Sequence, residues 1–438
     1  MPRRKNPSGL WFGRPFDTRN NSLNLIRLVL ALAVLVHHSW PLSGRPEEPA
    51  FAGDTLGGWA VAGFFVISGY LIAASRFSHS LGEYLVHRVA RIMPAFIVCL
   101  VVVAGFFAPL GYLAAKGSLD GFFTTGTTPF NYVFSNLGLK MLRYDVAGTP
   151  AGVPYPGAWN GSLWSLYYEF YCYAILAFLG IFAIIRKSPW PLTILFVASV
   201  IAHASIEDVA PYTQGNFDFD LLFRLLPFFL GGAVVLAWKD RIGIHWLPGA
   251  ASAVAAVVVT ALVPGWGGAA SAVFIAYATL WISTLLPSPM LIRKNDVSYG
   301  VYIYAFPIQQ LLAVHGVHER GLVVYMLVAA VLTVAAGIAS WLLVERPVMR
   351  AVRRHGKKPA LAPVAVAAPE RTAPADETAS AETAPVEGVE PVGGTAPAEE
   401  NVPVGGTAAA GETTSPGLQG DPLVPQRSSI VGTRATGT

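Results

Sequence analysis

The sequence predicts an all-α fold: a polytopic membrane helical bundle of about ten transmembrane helices, with both termini cytoplasmic. Three observations lead there. Of the 438 residues, 53% are hydrophobic and only 13% charged, about half the charged share of an average soluble domain; the mean hydropathy is +0.50. Apolar runs of roughly 17–25 residues, the length that crosses about 30 Å of hydrocarbon, recur along the first 345 residues. The short alternating segments of a β-barrel are absent from the sequence. Third, the cationic side chains are distributed unequally between alternate loops.

The spans are expected at about 24–42, 57–75, 89–113, 163–185, 190–206, 220–238, 246–263, 268–286, 297–314 and 321–344. With the N-terminus inside, cytoplasmic segments hold 20 Lys and Arg and the outer loops five: Arg45, Lys116, Lys140, Arg143 and Arg320. That four-to-one bias fits the positive-inside rule. It also accounts for the net charge of +4 without any affinity for nucleic acid. Met1-Pro-Arg-Arg-Lys precedes an apolar run but no small-residue cleavage site follows, so the first span is read as retained. The outer loop Ala114–Ser162 is long and rich in Gly, Pro, Thr and aromatics. A loop of that length is either a surface cap or a substrate contact.

Three segments result: a cytoplasmic N-terminal segment 1–23, a ten-helix transmembrane domain 24–350, and a Pro/Ala/Thr/Gly-rich cytoplasmic tail 351–438. From residue 359 onward the tail has no Trp, Tyr or Phe. It lacks the apolar surface to offset chain entropy, and disorder is expected. Cys99 and Cys172 both lie in apolar spans, and no metal-ligand spacing exists in the sequence.

Chemistry is expected where ionisable residues interrupt apolar helices. Arg27 and His38 share the first span with ten residues between them. At about 100° and 1.5 Å per residue they return to nearly one face, roughly 16 Å apart along the axis. A cation at the membrane centre costs about 2.5–3.5 kcal/mol even on the gentlest scale, so the pair suggests a site. A neutral imidazole accepts a proton from a hydroxyl near pH 7 and returns it to a leaving group. His37 points about 100° away and is the second choice. Arg88 and Arg91, three apart at the cytoplasmic start of the third span, suit bidentate phosphate binding; topology and lipid headgroups would explain them equally. Glu169, near the outer end of the fourth span, needs a partner, with His38 or Arg224 at suitable depth.

Several further side chains are candidate cavity lining: Ser68 in Gly63-Phe64-Phe65-Val66-Ile67-Ser68-Gly69-Tyr70, Trp164, Ser165 and Tyr168 in the fourth span, and Ser298, Tyr299 and Tyr302 at the start of the ninth. Close helix packing explains the glycines of the second span equally well, and interfacial anchoring explains the tyrosines of the ninth. Glu345-Arg346-Pro347 reads as a helix stop with a local ion pair.

Six of these features occur in order: Arg27-x10-His38, Phe64-Phe65-Val66-Ile67-Ser68-Gly69-Tyr70-Leu71-Ile72, Arg88-x-x-Arg91, Leu163-Trp164-Ser165-Leu166-Tyr167-Tyr168-Glu169, Ser298-Tyr299 and Glu345-Arg346-Pro347. Over about residues 20–350 the chain resembles the acyltransferase 3 family of membrane-bound O-acyltransferases. The resemblance implies a ten-helix bundle in the inner (plasma) membrane of a bacterium. It also implies a cytoplasmic acyl-coenzyme A co-substrate, acetyl or succinyl, with no bound cofactor. The acceptor would be a hydroxyl of a polysaccharide, lipoglycan or other glycoside. His38 matches the family's catalytic histidine, and Arg27, Arg88 and Arg91 match its essential arginines. On that reading His38 is general base or transient acyl carrier, Arg88 and Arg91 hold the donor's nucleotide end, Arg27 steers the pantetheine arm and Glu169 orients His38. A proton-coupled transporter or flippase is the competing class; it is expected to show inverted repeats, which the sequence lacks.

Overall fold

The computed structural model describes residues 10–209 and 217–355. Most of the tail, from residue 356 onward, lies outside the described residues, as do residues 1–9. The architecture is helical, and each expected span coincides with a helix. These are α1 (Leu23–Leu42), α2 (Leu56–Ser78), α3 (Leu81–Val102), α4 (Trp164–Leu179), α5 (Trp190–Ala204), α6 (Phe217–Ala237), α7 (Trp246–Leu262), α8 (Ala272–Leu285), α9 (Ser298–Val314) and α10 (Leu322–Ser340). Among the described residues, five helical stretches are long and apolar enough to cross a membrane: Leu23–Leu42, Leu56–Ser78, Leu81–Lys116, Asp218–Ala237 and Leu322–Arg354.

The other five helices have 14 to 17 residues, about 21–26 Å at 1.5 Å per residue. Two of them, α4 and α8, are shorter than expected because the backbone breaks. Gly180 ends α4 before a separate turn, Ala183–Lys187, and Ser271 divides Gly267–Ala270 from α8. Conversely, two helices are longer. A π-helical turn, Val103–Phe107, joins α3 to Ala108–Lys116, and another, Trp341–Glu345, joins α10 to Arg346–His355.

The start of α3 differs from the expectation by two turns. Ser80 accepts from the Glu83 amide at 3.3 Å and its own amide donates to Glu83 at 3.1 Å, a reciprocal capping box that nucleates the helix at Leu81. Arg88 and Arg91 are therefore interior helix residues rather than flanking ones. Thr55 caps α2 by accepting from the Gly58 amide at 3.0 Å. Before it, β1 (Ala50–Phe51) and β2 (Asp54–Thr55) pair antiparallel. Positive φ at Ala52 and Gly53 closes their two-residue turn. That hairpin presents Asp54 to Arg224, 2.7 Å away, so Arg224 is not the partner of Glu169.

Close backbone approach fixes the bundle. A Cβ on Gly69 would lie 1.8 Å from the Phe229 carbonyl oxygen, and one on Gly232 would lie 2.0 Å from that of Val66. Thus α2 and α6 pack backbone to backbone, and the glycine pattern of α2 is first a packing device. Gly69→Ala is expected to destabilise by about 1–3 kcal/mol or more, read as a lower Tm in detergent. Gly82→Ala, whose Cβ meets nothing within 4 Å, is the control and should not lower Tm. Equal effects would remove the steric argument.

The innermost helix is α9. Every residue from Ser298 to Gln310 is buried, the pattern of a helix surrounded on all sides. It contacts α1 on one side and α10 on another. The end of the long loop plugs onto it. Gln310 donates to the carbonyls of Tyr155 and Ala158 at 2.7 and 2.8 Å, Asn160 donates to that of Ile303 at 2.8 Å, and Trp159 is fully buried over Gly111. This part of the loop is an inserted wall rather than a surface cap.

Candidate active site

Two polar clusters line α1 and α9, one toward each end. Toward the C-terminal half of α1, the His38 side chain is 5% exposed. Its Nδ1 lies 3.4 Å from Ser162 Oγ, and its ring meets Phe306 edge-on at 5.2 Å. Ser162 arrives from the loop's buried end. Its carbonyl accepts from Tyr302 Oη at 2.6 Å, and Tyr302 in turn bonds Ser165 at 2.6 Å. His38, Ser162, Tyr302 and Ser165 thus form one connected group drawn from α1, the loop, α9 and α4. If Nδ1 carries the proton and donates to Ser162, Nε2 keeps its lone pair, the tautomer a general base requires.

His37 has a different environment. Its Nε2 is 3.6 Å from Glu48, and its ring occupies the space where a side chain on Gly57 would stand. Burial raises the Glu48 carboxyl above its ordinary value, as a half-buried acid in the loop between α1 and α2 should behave.

The second cluster lies at the N-terminal end of α1. Arg27 is bonded to Asp296 Oδ2, and Arg91 donates to that same oxygen at 2.6 Å. Arg91 also donates to Glu345 at 2.7 Å and lies 5.7 Å from the ring centroids of both Tyr299 and Trp341. Ser298 donates to Asp296 at 2.6 Å and Ser340 to Glu345 at 3.1 Å. Burial pushes the Asp296 carboxyl up, but Arg27, Arg91 and the Ser298 hydrogen bonds outweigh it and hold it below its ordinary value. Two cations and two anions balance here.

The structure corrects three expectations. Glu169 is not paired with His38: its Oε1 accepts from Ser68 and from Tyr173, both at 2.6 Å. Glu345 does not serve as a local partner of Arg346; the π turn delivers it, 1% exposed, to Arg91. Arg88 and Arg91 do not act as a pair either. Arg91 is held by two carboxylates, whereas Arg88 meets only the Tyr84 ring, 5.9 Å away, with its buried Nε unpartnered among the described residues.

The remaining candidates divide between structure and site. Ser165 and Tyr302 join His38's cluster, while Ser298 and Tyr299 join the arginine cluster, Tyr299 donating to the Ile92 carbonyl at 3.0 Å. Tyr168 donates to Asp218 at 2.9 Å and Trp164 packs edge-on against it at 5.9 Å, apart from both. Asp296 and Ser162 are the residues that the sequence did not single out for chemistry.

Ionisable groups buried this deeply in a helical membrane protein mark a working site rather than a scaffold. The acyltransferase-domain family profile matches residues 20–344, and the chain belongs to that family, the acyltransferase 3 family its motifs resemble; it is an acyltransferase. It is 30% identical over 334 residues to the O-acetyl transferase of Shigella phage Sf6, covering 75% of this chain and 96% of that protein. It is 28% identical over 371 residues to Nodulation protein 10 of Rhizobium leguminosarum bv. viciae, covering 75% of this chain and 93% of that protein. No solved structure matches the chain.

Proposed function

We propose that this O-acyltransferase moves an acetyl group from cytoplasmic acetyl-coenzyme A to a hydroxyl of a carbohydrate acceptor at the bacterial inner membrane. The ten helices of residues 24–350 would carry the reaction, with both termini cytoplasmic. The observation that carries the reading is the buried His38, joined to Ser162 and sharing α1 with Arg27 of the second cluster. The name of the phage relative supports acetyl over succinyl.

In the proposed step His38 Nε2 takes the proton of the acceptor hydroxyl as its oxygen attacks the thioester carbonyl. The carbon–sulfur bond breaks as the ester forms, and the thiolate leaves with the proton returned from His38. Ser162 acts as a positioning residue that fixes the imidazole tautomer. Ser162→Ala is expected to lower turnover about tenfold, the loss of roughly one hydrogen bond, and to shift the pH–rate profile, with Ser162→Thr restoring both. An unmoved profile would leave Ser162 a packing residue.

Of the three arginines the sequence singled out for the donor, Arg88 alone has no carboxylate partner among the described residues and is the better candidate for the donor's anionic end; Arg27 and Arg91 are already neutralised. Arg88→Ala should raise the donor KM more than it lowers kcat, measured by thiol release from acetyl-coenzyme A. An unchanged KM with collapsed kcat would refute the donor-binding role. The acceptor is identified by mass spectrometry of surface glycans from cells lacking the gene, complemented with the wild-type chain. Return of a 42 Da ester, the mass of one acetyl in place of one hydrogen, supports the reading; no glycan ester lost on deletion would overturn the carbohydrate acceptor.

A further inference from the structure

We infer that the adjoining ends of α2 and α3 form a phosphate-binding site built from Arg76, Arg88 and the imidazoles of His79 and His87. This rests on the donor-side reading of Arg88 above and adds the residues that would complete its site. The clearest observation is an imbalance. Arg27, Arg91, Arg224 and Lys140 each have a carboxylate within 4.0 Å. Arg76 and Arg88 have none among the described residues, although Arg76 is only 4% exposed. A buried cation without a counter-charge is costly, and structures keep such groups where an anion from elsewhere completes them.

The geometry gathers these cations. Both guanidinium carbons stand near one ring, Arg76 6.0 Å and Arg88 5.9 Å from the centroid of Tyr84. Tyr84 is itself locked, fully buried and donating to the Tyr173 carbonyl at 3.0 Å. Arg76 is held at its stem. Nε donates to the Ala177 carbonyl at 3.1 Å and the chain crosses Gly180, where an added Cβ would stand 2.7 Å from it. Among the described residues its terminal nitrogens then find only the His79 carbonyl, a long 3.5 Å away.

Arg88 Nε is buried with no acceptor among the described residues. The rings of His79 and His87 meet edge-on at 5.1 Å, and His79 Nδ1 is occupied by the Ser75 carbonyl at 2.9 Å, with its Nε2 bonded to none of the described residues. Among the described residues no carboxylate lies within 4.0 Å of these four side chains; Glu83, beside His87, is engaged by Ser80 in the cap of α3, and Arg353 adds another positive charge beside His87. Guanidinium and imidazole donors that no carboxylate pairs are the donor set for a phosphate ester.

A phosphate here has two sources, the nucleotide phosphates of the acyl donor or the headgroup of a phospholipid. The test uses the full chain purified in detergent, with adenosine 3′,5′-bisphosphate as the soluble probe in calorimetry. Arg76→Gln and Arg88→Gln should each weaken its binding about tenfold or more, the loss of one charge-assisted hydrogen bond. The double variant His79→Gln/His87→Gln should weaken it several-fold. That double variant carries the test if Arg76→Gln does not fold, since His79 is exposed just beyond α2, His87 is partly buried, and neither is among the buried core residues.

The lipid arm measures phosphatidylglycerol retained from nanodiscs by native mass spectrometry. Loss of retained lipid in the variants, with bisphosphate binding unmoved, supports the site with a headgroup as occupant. Unchanged binding of both probes overturns the proposal, and does so with the acyltransferase reading intact if acetyl-coenzyme A is still consumed at an unchanged KM. Bisphosphate binding by a wild-type chain that consumes no acetyl-coenzyme A would instead refute the donor assignment and leave the phosphate site standing.

Discussion

Acyl transfer by the His38→Ala enzyme is expected to fall about 10²- to 10⁴-fold in kcat, the range a positioned general acid–base group supplies, with the donor KM nearly unchanged. The basis is local. His38 is buried, its Nδ1 faces Ser162 Oγ, and its Nε2 makes no hydrogen bond to another side chain or carbonyl among the described residues. Nothing else on this wall accepts a proton as readily: Ser165 and Tyr302 are hydroxyls bonded to each other, Tyr302 also donating to the Ser162 carbonyl, and the Ser162 hydroxyl faces His38 itself. His37 does not substitute for it, because its ring fills the notch at Gly57 and faces Glu48. His38→Gln keeps an acceptor near Ser162 without a titratable base, so it should be as inactive as the alanine variant while packing better against Phe306. Both are compared at equal membrane abundance. Turnover within about threefold of wild type for either variant would remove proton transfer from His38.

What the sequence revealed and what it hid have the same physical origin. A charge inside an apolar run stands out against its neighbours, so Arg27 and His38 were legible, and the 3.6-residue repeat placed them on one face. The glycines of α2 were legible for the same reason, as small residues spaced along a span. Asp296 was not, because it lies in the polar stretch between Lys294 and Ser298, where an acid is unremarkable until two arginines from distant helices reach it.

In sequence, the nearest partner for Glu345 is its neighbour Arg346. The π turn that rotates it toward Arg91, 254 residues away, has no sequence mark. Depth alone suggests His38 or Arg224 as the partner of Glu169. Depth fixes a residue's level in the bundle but not its direction, and Tyr173, one turn along the same helix, together with Ser68 claims it. Ser162 was concealed by its own loop, since the position of a loop end depends on long-range bonds such as Asn160 to Ile303.

Loss of the Asp296 charge should be the most damaging single change outside the histidine cluster. Asp296→Ala leaves Arg27 and Arg91 facing each other across the position of one lost oxygen, with side chains 19% and 16% exposed. Breaking a buried pair by removing one partner costs about 3–5 kcal/mol, expected as a fall of several degrees in Tm. Asp296→Asn keeps the shape and an acceptor for Ser298 but not the charge, and should fall between alanine and wild type.

The pH dependence has a defined sign. The Asp296 carboxyl is held below its ordinary value in the folded protein. Its contribution is therefore complete above that ordinary value and is lost as pH falls through the folded one. Wild-type Tm should drop on acidification through the carboxylate range, and the gap between wild type and Asp296→Asn should close there. A gap that is constant with pH would show that the carboxylate charge is not what holds the two arginines.

A cycle of Arg91→Met, Asp296→Leu and their combination separates repair from function. Replacing both members removes the uncompensated charge and should recover part of the lost stability. If activity returns with it, Arg91 serves to brace α3 against α9 and α10, and the donor's charge falls to Arg88. If stability returns and activity does not, the Arg91 guanidinium is itself needed in the reaction, and Asp296 holds it ready by occupying it until an anion of the donor takes its place.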